Sequence, residues 1–322
     1  MATAGSDAAR LIADIGGTNA RFALVGGDGA PHSEQVLACA AYPDPAAAME
    51  HYLSQAGGPR PRQAAIAVAT PITGDRVKMT NHVWSFSLEE TRRQLGFERL
   101  IAINDFTALA MALPHLKPAD VHKVGRGEPV KTAPIALLGP GTGLGVSGLV
   151  PAGERWIPLQ GEGGHATFSP ATDREMEILK IVRQRFDHVS TERLVSGSLG
   201  FPNLYQAIAT LHGVDPTPLA PADIVEQAKS GASPVCVEVL ETFCAMLGTA
   251  AGNLVLALGA LGGVYIGGGI IPRLGEWFDA SPFRQRFEAK GRFAGYMAAV
   301  PSYVITARHP AFLGVARAFE TF

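Results

Sequence analysis

The chain has 322 residues, 47% hydrophobic and 17% charged, with a net charge of -2. That length carries one large domain or two ordinary ones with an ample core. The near-neutral balance and the absence of a long basic run exclude nucleic acid and anionic membrane surfaces as expected partners.

Leu11 to Ile15 reads as a short buried strand interrupted by Asp14. Gly16-Gly17-Thr18-Asn19 turns the chain, and Ala20 to Val25 continues as a second strand. A helix is expected over Ala46 to Gln55 and a buried strand at Ile66 to Ala69. Ser87 caps a helix running to Leu95, with Glu90 three residues on in the spacing of a capping box. The next strand, Leu100 to Ile103, breaks at Asn104-Asp105 into an Ala-, Leu- and Met-rich helix. Either residue can cap that helix. A carboxylate at the carboxyl end of a strand, however, also stands where open α/β sheets bind ligands. Strands alternating with helices predict a mainly parallel sheet covered on both faces.

The segment Ile135 to Val150, IALLGPGTGLGVSGLV, repeats the opening theme of strand, Gly/Thr turn and strand. Gly141-Thr142-Gly143 takes the place of Gly16-Gly17-Thr18, which suggests two related halves with a nucleotide between them. A Gly-rich loop follows, then a helix from Asp173 to about Arg185. A second loop carries Glu192 and Ser196-Gly197-Ser198-Leu199-Gly200. Helices are expected over Phe201 to Leu211 and Ser233 to Leu258, then a strand at Gly263 to Ile266 that opens into Gly267-Gly268-Gly269. The tail, Pro310 to Phe322, reads as a helix with Phe312, Val315, Ala316 and Phe319 on one face.

Thr249 to Leu261 is strongly apolar but shorter than the roughly 20 residues that a bilayer requires. With Gly252 and Gly259 inside it, a buried core helix is the expectation. Cys39, Cys236 and Cys244 have no ligand spacing, and the first ten residues lack an apolar signal core. Buried free thiols, no export signal and a cytoplasmic location follow.

Three glycine turns, each at the end of a strand, favour a phosphorylated ligand, because backbone N–H groups can approach a phosphate there without a Cβ in the way. Gly143 to Gly148 matches GxGxxG literally, but that fingerprint must open a helix and Val146 to Val150 reads as a strand. No GxxxxGK[ST] loop and no HRD or DFG signature occurs. Glu162 and His165 of GEGGH have the spacing of a helical metal pair, yet Gly163-Gly164 predicts a turn.

Taken together, ADIGGTNARFAL, INDFTALAMA, LGPGTGLGVSGL, GEGGH and GGVYIGGGI occur in this order over nearly the whole chain. They resemble bacterial glucokinases of the hexokinase type, within the sugar kinase, heat-shock ATPase and actin superfamily. Thr70 to Ser87 and Glu192 to Ile208 resemble the same family. The zinc loop of the related repressor/kinase group is missing after His165, so no zinc is expected.

The resemblance implies an α/β, two-lobed actin-like ATPase (ribonuclease H-like) fold with a duplicated β-hairpin phosphate-binding core and an interlobe cleft. Residues 1–115 with 306–322 would form the small lobe and 116–305 the large one. It implies transfer of phosphate from Mg-ATP to D-glucose, with Asp105 as general base. Ala13, Asp14, Ile15, Gly16, Gly17 and Thr18 would bind ATP together with Gly141, Thr142, Gly143, Gly268 and Gly269. Asp14 would hold Mg2+ through water. Asn81, Asn104, Asp105, Glu162, His165 and Glu192 would bind the sugar, with His82 and Trp84 lining or supporting its site. With no Lys or Arg in the turns, Mg2+ and backbone dipoles would neutralise the phosphates. A homodimer is implied as well. A kinase for another hexose and a non-catalytic sugar sensor are the alternatives.

Overall fold

Leu11, Ile12 and Ala13 are fully buried, so the strand they form needs partners on both edges and cover on both faces. The computed structural model, which describes residues 9–322 apart from Asp28 and Asn81, supplies both. Strand β1 (Arg10–Ile15) turns into β2 (Asn19–Val25), which pairs antiparallel with β3 (Pro31–Ala38). On its other edge β1 runs parallel to β4 (Gln63–Val68). A small hairpin of β5 (Arg76–Lys78) and β6 (Ser85–Ser87) follows, and β7 (Arg99–Asn104) then lies parallel to β4. The sheet order is therefore β3-β2-β1-β4-β7.

Alternation along β1 sends Leu11, Ala13 and Ile15 to one face, where Met49 and Tyr52 of α1 (Pro45–Ala56) lie in the same apolar cluster. Ile12 faces the other way, toward Ala108 and Met111 of α3 (Asp105–Ala112) and Phe312 and Val315 of the C-terminal helix Ala311–Thr321. Helix α2 (Leu88–Gln94) begins at Ser87, whose side chain accepts the Glu90 N–H at 3.1 Å, as its spacing predicts. The C-terminal helix approaches α3 so closely that a Cβ on Gly314 would lie 1.7 Å from the Ala108 carbonyl oxygen.

These elements make up the first of two compact units, which runs to Leu116 and includes Trp156–Gln160 and Ala307–Phe322. The second comprises Lys117–Arg155 and Gly161–Thr306. Its strands begin with β8 (Val121–Val124), β9 (Ile135–Pro140) and β10 (Leu144–Ala152). Beyond β11 (Arg155–Leu159), which falls in the first unit from Trp156 on, β12 (Val264–Ile266) and β13 (Ser302–Ile305) complete the set. β10 pairs antiparallel with β9, β9 runs parallel to β12, and β12 parallel to β13. The first unit has the same sequence of pairings: a hairpin, then two parallel strands on the earlier strand's free edge. The repeat thus extends beyond the one hairpin visible in the sequence.

Helices α4 (Asp173–Val182), α5 (Gly200–Leu211), α6 (Pro221–Ser230) and α7 (Pro234–Leu258) build the second unit's core. Phe201 and Phe243 stack there at 4.4 Å, and burying each such ring contributes about 1.5–3 kcal/mol. In α7, 61% of the most apolar window is buried, as expected of a core helix. Gly248 explains itself by packing: a Cβ there would meet the Phe283 carbonyl oxygen at 2.2 Å. Cys39, Cys236 and Cys244 are buried free thiols.

Candidate active site

In the first unit, the strand ends carry the polar residues. Asp14 is the next-to-last residue of β1, and the ladder sets it opposite Arg21 of β2. Arg21 Nη1 donates to Asp14 Oδ2 at 3.1 Å. Burial raises the Asp14 pKa above the ordinary carboxylate range, and the guanidinium offsets part of that rise. The adjoining turn is closed by the Gly16 N–H donating to the Asn19 carbonyl at 3.0 Å, and Thr18 accepts the Cys39 N–H at 2.9 Å. Ala13 and Ile15 are fully buried, so only their backbone can meet a ligand.

The chain's choice of cap for α3 is also settled. Asn104 Oδ1 accepts the N–H groups of Phe106 and Thr107 at 2.9 and 3.2 Å, while its Nδ2 donates to the Thr70 carbonyl at 3.4 Å. Asp105 sits in the first turn, where the helix dipole favours a carboxylate, and its Oδ1 accepts the Phe106 N–H at 3.0 Å. Asn81 lies outside the described residues. Trp84 is core: it is 2% exposed, with Nε1 donating to the Tyr42 carbonyl.

In the second unit, Gly163–His165 forms a single 3-10 turn rather than a helix, as its glycines require. A Cβ on Gly164 would lie 2.0 Å from the Leu144 carbonyl oxygen, so the turn can rest directly on β10. That seat brings His165 Nδ1 to 3.2 Å from Glu192 Oε2, with Glu162 Oε2 3.9 Å from His165 Nε2. Burial raises the Glu162 pKa, His165 lowers it and Glu192 raises it further. Glu192, on the turn Thr191–Arg193, is the most enclosed of the three, its side chain 16% exposed. A cavity of about 460 Å³ opens beside His165 and Glu192.

One glycine of the second hairpin lies against the same carboxylate. A Cβ on Gly143 would stand 2.6 Å from Glu192 Oε1. Gly141 donates to the Gly143 carbonyl at 2.8 Å. Gly268, at φ +83°, lies against Pro140, where a Cβ would meet the carbonyl oxygen at 2.3 Å. The structure thus gathers Glu162, His165 and Glu192 with Gly141–Gly143 in one unit. Asp14, the Gly16–Thr18 turn, Asn104 and Asp105 belong to the other. Because Gly143 leads into strand β10 rather than a helix, a dinucleotide fingerprint is excluded.

Arg21 is the residue that sequence reasoning missed. The expectation of turns without a cation holds for the turns themselves, but β2 delivers a guanidinium to Asp14. Antiparallel register across a four-residue turn was the available signal: it pairs Ile15 with Ala20 and therefore Asp14 with Arg21.

Mg2+ and ATP can be tested against these residues. Among the described residues no group of three or more His, Cys, Asp or Glu could hold a metal ion. Mg2+ bound to phosphates and water needs only one or two carboxylates, and Asp14 fits that requirement. Exposed backbone at the two hairpin turns fits phosphate oxygens.

A hairpin with a glycine turn followed by two parallel strands, present in both units, defines the actin-like ATPase fold. A glucokinase from an Antarctic psychrotroph has this architecture, with a TM-score of 0.87 at 37% identity over 98% of this chain and 99% of that one. The family model described as glucokinase matches residues 11–322, and the chain belongs to the glucokinase family. It is 53% identical over 307 residues to a glucokinase of Chromobacterium violaceum, covering 95% of this chain and 88% of that protein. It is 54% identical over 314 residues to the bifunctional protein glk of Burkholderia pseudomallei, covering 96% of this chain. The chain spans about half of that relative, 48% of its length.

Proposed function

We propose that the protein is an ATP-dependent glucokinase that transfers the γ-phosphoryl group of Mg-ATP to the 6-hydroxyl of D-glucose. The observation that carries this reading is the division of labour at α3. Asn104 caps two N–H groups of the helix, while Asp105, whose Oδ1 accepts the Phe106 N–H, puts its carboxylate at the carboxyl end of β7, where open α/β sheets bind ligands. Asp105 takes the proton from the attacking hydroxyl as the oxygen bonds to phosphorus and ADP leaves.

Glu162, His165 and Glu192 bind ring hydroxyls, because carboxylates and an imidazole can bridge adjacent hydroxyl groups and reject sugars that lack them. Asn104 and Asn81 complete the sugar contacts. The turns Gly16–Thr18 and Gly141–Gly143 lie along the phosphates, offering the N–H groups that do not close the turns themselves, with Gly268 and Gly269 near the adenosine. Asp14 would hold Mg2+, which would supply charge neutralisation to the transferring group. Residues 1–115 with 306–322, and 116–305, act as the small and large lobes. The protein works as a cytoplasmic homodimer.

Purified protein with Mg-ATP should release ADP fastest with glucose in a panel of glucose, mannose, fructose, N-acetylglucosamine and a no-sugar blank. Faster turnover with another hexose would keep the mechanism and change the substrate. Folded protein that no sugar stimulates would end the kinase reading.

A further inference from the structure

Ser196 and Gly197 have no place in the chemistry above, yet they are the most tightly held part of the loop that carries Glu192. Ser196 is fully buried. Its hydroxyl donates to the Glu192 carbonyl at 2.7 Å and accepts the Gly200 N–H at 3.1 Å, so one side chain fixes both ends of the loop. The Gly197 N–H donates to the Gly141 carbonyl at 2.7 Å. A Cβ on Gly197 would lie 2.8 Å from that same oxygen and 2.7 Å from Ile270 Cδ1, so only glycine permits this approach. At the other end of the turn, a Cβ on Gly143 would stand 2.6 Å from Glu192 Oε1, so only glycine leaves room for the carboxylate there.

The hairpin turn Gly141–Gly143 is therefore held to the Glu192 loop by one backbone hydrogen bond, and the Glu192 carboxylate lies over Gly143 with no room for a side chain between them. These contacts form one closed ring: Gly141 to Gly197, Gly197 through Ser196 to Glu192, and Glu192 to Gly143. We propose that Ser196 and Gly197 are positioning residues that make the nucleotide turn and the sugar carboxylate move as one body. Glucose and nucleotide then raise each other's affinity through the ring, reciprocally, as binding linkage demands. This inference rests on the function proposed above.

The test is calorimetric binding of glucose to the full chain, with and without Mg2+ and the non-hydrolysable analogue AMPPNP. Wild type should bind glucose about fivefold or more tightly with the analogue present, within the usual range for coupled sites. Ser196→Ala should cut that enhancement by about threefold or more while its melting temperature stays near wild type. Gly143→Ala guards against a poorly folded Ser196 variant, approaching the ring from the nucleotide side. It should weaken glucose binding with no nucleotide present, an effect that a residue touching only phosphates would not have.

Equal glucose affinity with and without AMPPNP in wild type would overturn the proposal. So would an unchanged enhancement in folded Ser196→Ala, or wild-type glucose affinity in Gly143→Ala. A wild type that neither binds nor turns over glucose would remove the functional reading and this inference together. In the other failures glucose turnover survives, and only the coupling falls.

Discussion

Arg21 reaches across the β1–β2 ladder to place Nη1 3.1 Å from Asp14 Oδ2, while its own Nε is buried with no partner among the described residues. An unmet buried donor costs free energy, so this arrangement is strained in the sense of being incomplete. It sits beside the turn assigned here to phosphates, where an acceptor would complete it.

Replacing Arg21 with Met should lower kcat/KM for Mg-ATP at least about tenfold, equivalent to roughly 1.4 kcal/mol. The pH profile gives the sharper readout. Burial holds the Asp14 pKa up and Arg21 pulls it down, so removing Arg21 must move the acid limb of kcat/KM to higher pH. A limb that stays in place would separate Arg21 from the ionisation of Asp14.

The same raised pKa makes a stability statement. Below the unfolded value both states hold the proton. Between the unfolded and the raised native value only the folded protein holds it, so stability falls as pH rises through that window. At neutral pH an ionised Asp14 is therefore a burden on the fold. Asp14→Asn should raise the melting temperature at pH 7 while activity collapses, and the gain should shrink on acidification. A melting temperature that drops at pH 7 would show that the ion pair with Arg21 outweighs the cost of burial.

Asn104 and Asp105 are adjacent and should respond in opposite ways. Asp105→Ala leaves the Asn104 cap of α3 intact, so the fold and much of the glucose binding should remain while kcat falls by about 10²–10⁴-fold. Asn104→Ala removes the acceptor for two backbone donors and should cost about 1 kcal/mol of stability. Thermal melts and single-turnover kinetics on both variants decide the matter. Near-normal turnover in Asp105→Ala would remove it as the base.

Much of the first unit was legible because the apolar runs of β1 and β4 are almost wholly buried and that of β7 buries Ile101 and Ile103. β3 was not, since it is a sheet edge: Pro31–Ala38 is mostly exposed, and its polar run exists as a strand only because β2 offers a free edge. β13 was missed for brevity, four residues whose identity as a strand comes from pairing with β12 and β8. Glycine and carboxylate motifs marked both groups of candidate site residues. The tie between them in the second unit, Gly143 beneath Glu192, spans 49 positions and has no local signature.

Glu162 offers a test in which two variants move one limb in opposite directions. Burial raises its pKa, so glucose affinity should begin to fail on acidification above the ordinary carboxylate range. His165 lowers that pKa, and His165→Gln should shift the acid limb of 1/KM for glucose to higher pH. Glu192 raises it, and Glu192→Gln should shift the limb to lower pH. Both variants should raise KM. Limbs that move together would show that Glu162 is not the group being titrated.

Gly314 tests whether the C-terminal helix positions α3, which carries the proposed base. Its Cα side faces the Ala108 carbonyl of α3, and the 1.7 Å approach of an added Cβ cannot be relieved by rotating a side chain, because backbone meets backbone. Gly314→Ala must push the two helices apart, at a cost of about 2–3 kcal/mol, or roughly 5–10 °C in melting temperature. Because Asp105 opens α3, the displacement should also lower kcat with little change in KM for glucose. Leu313→Ala on the same helix, where Leu313 is only partly buried, is the control: it should lose stability with kcat nearly unchanged. If Gly314→Ala melts early yet keeps wild-type kcat at low temperature, the helix supports the fold alone and Asp105 is positioned by β7.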